Sequence, residues 1–163
     1  QSAILKAEGE KEAAIKKAEG EAEAIARGLA VGVFAGCFPF FGLQSLIALF
    51  LATFCRGNKL AAVLGTWVSN PLTYLPIFAF NFKVGQLFFG QQNLVLQDLM
   101  QDLHGLLFQS GLKFALTIFS GSFVVGITAA AITYWLSLKF IVRWRQDRNK
   151  QAKKYTKPTS QRY

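Results

Sequence analysis

Charge is missing from three long stretches of this chain. No Asp, Glu, Lys or Arg occurs across residues 28–55, 60–82 or 114–138. Acidic residues number only nine, and six of them precede residue 24. Histidine occurs once, at His104, and cysteine twice, at Cys37 and Cys55 inside apolar runs. Two such cysteines read as small buried hydrophobes and offer neither a disulfide framework nor a metal site. Paired carboxylates, a Cys/His constellation and a phosphate-binding glycine loop are all lacking, so no enzymatic activity, cofactor or metal is expected. The chain starts at Gln1, so a start or leader is expected upstream, and no signal-peptide pattern is visible.

What is present is apolar. Hydrophobic residues make up 52% of the 163, and the mean hydropathy is +0.30, too high for a soluble chain of one domain plus appendages. Each charge-free run is at least as long as the roughly 20 residues a helix needs to cross a hydrocarbon core. A charge at the bilayer centre costs at least ~2.5–3.5 kcal/mol, which explains its exclusion from these runs. A soluble protein with three buried helices is the rival, but the rest of the chain is too short to cover them. The expectation is an all-α integral membrane protein.

The net charge of +9 divides into −1 over residues 1–27, +2 over 28–138 and +8 over 139–163. A basic tail beside a spanning helix marks the cytoplasmic side of a membrane. Arg143, Arg145, Arg148, Lys150, Lys153 and Lys154 are expected to contact anionic lipid there. Nucleic acid is not expected as a partner, because the tail has no folded reading element.

The N-terminal segment repeats itself. Residues 3–13 read AILKAEGEKEA and residues 14–24 read AIKKAEGEAEA, identical at nine of eleven positions. Ala, Glu and Lys favour helix, and Glu12–Lys16 and Glu23–Arg27 are well-oriented pairs four residues apart. The period places Ile4 and Ile15 on one face, with Ile25 close to it, and favours a straight or right-handed assembly. Gly9 and Gly20 each cost about 1 kcal/mol of helix stability, so a charged helix over 1–26 wants neighbours. Its Ala-Glu-Gly-Glu wording resembles the C-terminal helical region of the stomatin–prohibitin–flotillin superfamily.

A membrane domain is expected over 27–142, and its first two runs share one plan. Gly28, Gly32 and Gly36 form a flat strip for close helix approach, after which Cys37-Phe38-Pro39-Phe40-Phe41-Gly42 interrupts the helix. A half-helix over 43–54 follows, then the polar link Arg56-Gly57-Asn58-Lys59. Another half-helix over 60–68 leads into Ser69-Asn70-Pro71-Leu72-Thr73-Tyr74-Leu75-Pro76, with a fourth over about 77–84. Runs 28–55 and 60–84 therefore predict two proline-broken helical hairpins of re-entrant type, suggestive of a structural repeat. Residues 86–110 predict an amphipathic surface helix through Leu96, Leu99, Met100, Leu103, Leu106 and Leu107. Residues 113–142 predict one regular transmembrane helix with the small-residue strip Ser122, Gly126, Ala130 and an interfacial end marked by Tyr134, Trp135 and Trp144 with Lys139, Arg143 and Arg145. The basic tail over 143–163 is expected to be disordered.

Where a helix breaks inside a bilayer, its free backbone groups must find partners in protein or water. The candidate polar site is therefore Pro39, Gln44, Ser45, Thr66, Ser69, Asn70, Pro71 and Thr73. Paired half-helices of this kind present helix-end dipoles to an ion or a headgroup; the same side chains can equally serve only as caps.

The wording of residues 24–90 resembles the bacterial membrane domain of unknown function 2062. The resemblance rests on Ala26-Arg27-Gly28-Leu29-Ala30-Val31-Gly32, Phe38-Pro39-Phe40-Phe41-Gly42-Leu43-Gln44 and Arg56-Gly57-Asn58-Lys59. It continues through Gly65-Thr66-Trp67-Val68-Ser69-Asn70-Pro71-Leu72-Thr73, Phe80-Asn81-Phe82 and Gly85. It implies a bacterial inner-membrane location, or a thylakoid one since the wording is closest to members from photosynthetic bacteria, and it brings no established activity. The family's usual basic, aromatic entry helix is replaced here by the repeat, which points to a fusion joined near 23–26.

If both charged ends lie in the cytoplasm, the crossings are even in number, and one broken run crosses while the other re-enters. If both cross or both re-enter, the ends lie on opposite faces. Two functions are open. In one, the breaks bind or move an ion, small solute or lipid headgroup. In the other, the chain is an assembly subunit or homo-oligomer held through residues 1–26 and its glycine strips.

Overall fold

The computed structural model describes residues 2–40, 42–89 and 103–155, and every regular element among them is helical. Helix α1 (Ser2–Gly36) runs 35 residues without a break. The change from charged to apolar sequence near residue 27 leaves no mark on its backbone, because Ala, Glu, Lys and Leu all support the same helix. At 1.5 Å per residue α1 is about 52 Å long. It stops at Gly36, just before the Phe38-Pro39 step that disfavours helix.

The chain then doubles back. Helix α2 (Gln44–Phe54) returns antiparallel to α1 and ends in a double backbone cap. Gly57 N donates to Ala52 O at 2.8 Å, Arg56 N donates to Thr53 O at 3.4 Å, and Arg56 holds the left-handed position at φ 50°. One residue later Asn58 starts helix α3 (Lys59–Gly65), its Oδ1 accepting from Ala61 N at 2.9 Å. The backbone N of Asn58 also donates to Ala24 O on α1 at 2.7 Å, which sets the level of the turn against α1. Helix α3 continues as one 3₁₀ turn, Thr66–Val68. Helix α4 (Tyr74–Phe89) follows; Pro76 sits in its first turn, where a missing N–H costs nothing. Helix α5 (Leu103–Tyr155), 53 residues and about 80 Å long, closes the described chain.

Small residues decide how these helices pack. Gly28 faces Asn58 and Ala61, Gly32 faces Ala62 and Gly65, and Gly36 faces Thr66 and Val68, so α3 runs parallel to α1 along the glycine strip. A Cβ on Gly65 would lie 2.6 Å from Leu29 O, a separation no side chain tolerates. Ala35, Ala48, Ala52 and Ala62, with Ile47 against them, form the centre of the α1–α2–α3 unit. The strip read from sequence as a surface for other chains is thus occupied within this one.

Helix α5 backs both α1 and α4, which stack end to end along it. Phe34 meets Phe123 and Gly126, while Arg145 reaches Ala18 O and Glu21, so α1 and α5 are antiparallel. Further along, Asn81 and Gly85 of α4 meet Gly121 and Thr117 of α5, again antiparallel. Gly126 and buried Ser122 of the expected strip lie in these contacts, and Ala130 is half-buried. The α1 face turned inward is Ala22, Ala26 and Ala30, each at most 8% exposed, whereas Ile4 and Ile15 are 64% and 48% exposed. Ile4 and Ile15 share the helical face of Ala22 and Ala26, and they stay exposed because they stand on the part of α1 that precedes its contact with Arg145 at Ala18.

Several boundaries differ from the sequence reading. The amphipathic segment expected over 86–110 is divided: 86–89 complete α4 and 103–110 open α5, while 90–102, with Leu96, Leu99 and Met100, lie outside the described residues. Helix α5 extends beyond 113–142 at both ends. The tail expected to be disordered from 143 is helical to Tyr155, since it is rich in good helix formers and Arg145 anchors it to α1; residues 156–163 lie outside the described residues. One helical stretch, Gly111–Arg148, is long and apolar enough to cross a membrane by length and composition.

Candidate functional site

The carbonyls of Val33, Phe34 and Ala35 at the end of α1 accept from Cys37 N and Phe38 N, and those of Cys37 and Phe38 lie just beyond the helix. Two carboxamides reach them. Gln44 Nε2 donates to Phe38 O at 2.7 Å, and Asn81 Nδ2 donates to Cys37 O at 2.7 Å. Gln44 stands on the first turn of α2 and Asn81 in mid-α4, so consecutive carbonyls are closed by different helices.

Each amide reaches one step further. Ser69 Oγ, at the second break, donates to Gln44 Oε1 at 3.0 Å. Asn81 Nδ2 makes its second bond to Ser122 Oγ on α5 at 3.0 Å. A single polar thread therefore runs from Ser69 through Gln44, the end of α1 and Asn81 to Ser122. Beside it, Thr66 Oγ1 donates to Val63 O at 2.6 Å and lies 3.4 Å from Ser45 Oγ, joining α2 to α3. The two breaks meet, and side chains 25 residues apart connect them.

One end of the thread is left open. Asn81 is fully buried, and its Oδ1 has no hydrogen-bond partner among the described residues. Its amide cannot turn over to relieve this, because Cys37 O accepts only and requires the NH₂ group. A buried acceptor without a donor costs about 1–3 kcal/mol. Oxygen and amide groups at this junction are neutral, so the chemistry on offer is hydrogen bonding and dipolar attraction rather than proton transfer. Among the described residues no group of three or more His, Cys, Asp or Glu is placed to hold a metal.

The remaining sequence candidates serve the second break. Asn70 is exposed, and its Oδ1 accepts from Leu72 N at 2.9 Å and Thr73 N at 3.2 Å. Thr73 Oγ1 donates to Val68 O at 2.6 Å. With Pro71 exposed between them, these residues cap the turn into α4 and stay apart from the thread; Pro39 is half-buried at the first break. Asn81 and Ser122 are the residues a search for proline breaks passes over. The signal for Asn81 was a lone carboxamide in the charge-free run Phe80-Asn81-Phe82.

The expected lipid-contact residues separate as well. Arg143 is exposed and Arg148 lies over the Trp144 ring at 5.1 Å, whereas Arg145 is turned to α1, bonded to Ala18 O and 3.4 Å from Glu21. Lys150, Lys153 and Lys154 lie on the last turns of α5.

The family model described as "Uncharacterized protein conserved in bacteria (DUF2062)" matches residues 10–150. No curated protein and no solved structure matches the chain. The family match takes in α1 from residue 10, including the stretch 23–26 where a fusion junction was expected, and with it both breaks, Asn81 and Ser122. Spanning most of the 163 residues, it establishes that the chain belongs to the bacterial DUF2062 family.

Proposed function

We propose that this chain is a non-enzymatic, membrane-embedded module that binds or passes a small polar species, an ion, a solute or a lipid headgroup, where its two broken helices meet. The observation that carries the reading is the buried Oδ1 of Asn81, unpartnered among the described residues, beside the C-terminal end of α1. A helix C-terminus and an open carboxamide oxygen both favour a hydrogen-bond donor or a cation.

The membrane placement is supported by an inverted distribution of side chains. Buried positions are alanine, glycine, Thr66, Asn81, Thr117 and Ser122, with Cys37 and Ile118. Trp67, Leu72, Leu87 and Phe140 are 70% or more exposed, an apolar surface far beyond what a soluble monomer shows. The apolar window of α5 is only 28% buried, unlike the core helix of a soluble protein.

Levels along the helices support one of the topologies open from sequence. From the last charge, Arg27, to Gly36 is about 14 Å of helix, half of a hydrocarbon core of about 30 Å. The first break then lies near the midplane, and α2 and α3 are half-length helices in the same leaflet. Run 28–55 enters and returns, run 60–84 continues through α4, and α5 crosses back. Both described ends then share one face, the cytoplasmic one by the basic-residue rule, in a bacterial inner membrane or a thylakoid.

The test is reconstitution of the full chain in liposomes, with sodium, potassium, proton and phospholipid movement followed in parallel. One of these should exceed empty liposomes and fall at least tenfold with Asn81→Leu. Equal rates in that variant remove the site, and no movement or saturable binding of any of the four removes the reading.

A second reading, an assembly subunit or homo-oligomer, is favoured by the exposed Ile4, Leu5 and Ile15 on the charged part of α1. It is checked by cross-linking in native membranes with and without residues 2–17; an unchanged pattern argues against it.

A further inference from the structure

Above the apolar part of α5, Trp135, Leu136, Ser137, Lys139, Phe140 and Arg143 line an open groove of about 580 Å³. Its composition changes along the helix. Trp135 and Leu136, at 56% and 53% exposed, stand at one end of the run, Phe140, at 71%, lies beside Lys139, and Arg143 closes the other end. Among the described residues no acidic side chain lines it. Lys139 Nζ lies 3.6 Å from the centre of the Trp135 ring, which holds this cation over the apolar floor. The next basic residue, Arg145, is satisfied by Ala18 O and Glu21 on α1, so positive charge is neutralised on the side facing α1 and left facing outward in the groove.

The groove also sits at a defined level. Antiparallel pairing of Cys37 with Gly126 and of Ala18 with Arg145 places Trp135 beside the Gly28 turn of α1, where its charge-free run begins. The turn between α2 and α3 is tied to the same part of α1 through Asn58 N and Ala24 O, and it exposes Arg56 and Lys59. Cations from two separate parts of the chain thus occur at the level where apolar surface gives way to charged surface.

We infer that this groove is a binding site for an anionic phospholipid, with the phosphate between Lys139 and Arg143 and the upper acyl chain against Trp135, Leu136 and Phe140. The inference rests on the membrane placement proposed above, and is independent of what happens at Asn81. A zwitterionic lipid suits the groove less well, because its ammonium group would face two cations with no acid to receive it. Basic residues near an anionic surface strengthen binding individually, so losing both should weaken it about tenfold or more.

The test uses the full chain purified in mild detergent and exchanged with vesicles of phosphatidylglycerol or phosphatidylcholine, with retained lipid measured by native mass spectrometry. The wild type should retain phosphatidylglycerol preferentially. The double variant Lys139→Gln/Arg143→Gln should lose about tenfold or more of that retention, while Lys139→Arg/Arg143→Lys and the distant Lys83→Gln should keep it. These side chains are exposed, and circular dichroism checks that every variant folds. Equal retention of both lipids by the wild type, or undiminished phosphatidylglycerol in the double Gln variant, overturns the site and leaves the membrane reading intact. Displacement of the lipid by millimolar inorganic phosphate overturns it in favour of a free-phosphate site. Release of the chain from native membranes by alkaline carbonate overturns the membrane placement itself.

Discussion

Two carboxamides tie down the chain just past α1. Gln44 and Asn81 donate to the carbonyls of Phe38 and Cys37, the first of which also accepts from Phe40 N at 2.8 Å. Gln44 is satisfied at both ends because Ser69 donates to its oxygen, and that pairing joins the breaks. Replacing Gln44 by Leu should destabilise the protein by about 1–3 kcal/mol, and Ser69→Ala by about 1 kcal/mol. The double variant should fall short of the sum by at least about 0.5 kcal/mol, since both changes remove one shared bond. Graded sodium dodecyl sulfate unfolding in mixed micelles reads these differences, and strict additivity would mean that the two breaks are not coupled. Gln44 and Ser69 were legible in the sequence because they flank prolines. Asn81 was not, since nothing local shows that a mid-helix amide will meet the end of a helix 44 residues earlier.

At the scale of elements, the short distances between helix axes come from residues without side chains. A Cβ on Gly121 would collide with the carbonyl oxygen of Asn81, and one on Gly85 with that of Thr117. Gly121→Ala and Gly85→Ala should each push α4 from α5 and cost about 1–3 kcal/mol, the range for overpacking. Gly9→Ala on the exposed part of α1, with nothing within 4 Å, should instead stabilise by up to about 1 kcal/mol. Thermal unfolding in detergent separates the two classes; a Gly121→Ala protein as stable as the wild type would remove the close crossing. The glycine spacing over Gly28, Gly32 and Gly36 was visible in the sequence, but its partner was not. Spacing marks a strip that invites another backbone, and the turn at Cys55 to Asn58 brings α3 onto it.

For the whole molecule, α5 acts as a common backing, with α1 and α4 stacked along it. The proposed topology has two crossings, and places residues near both described ends on the same side. Single cysteines introduced at Glu8 and Arg148, in a Cys37→Ser/Cys55→Ser background, should both react with an impermeant maleimide from the cytoplasmic side only. Labelling of the two from opposite sides would rule out the re-entrant path for run 28–55. The same arrangement explains why the basic C-terminal segment is helical: its Arg145 is paired with the acidic α1, an antiparallel neighbour far away in sequence.

The sequence alone determined the helical class, the apolar runs and the family, because these depend on local composition and motif order. The tertiary structure decided which groups meet: the glycine strip with α3, Gln44 with Ser69, Asn81 with Cys37 and Ser122, and Arg145 with α1. The reason is physical. A local pattern states that a backbone group or a small-residue face needs a partner, but only the path of the whole chain brings a particular partner within 3 Å.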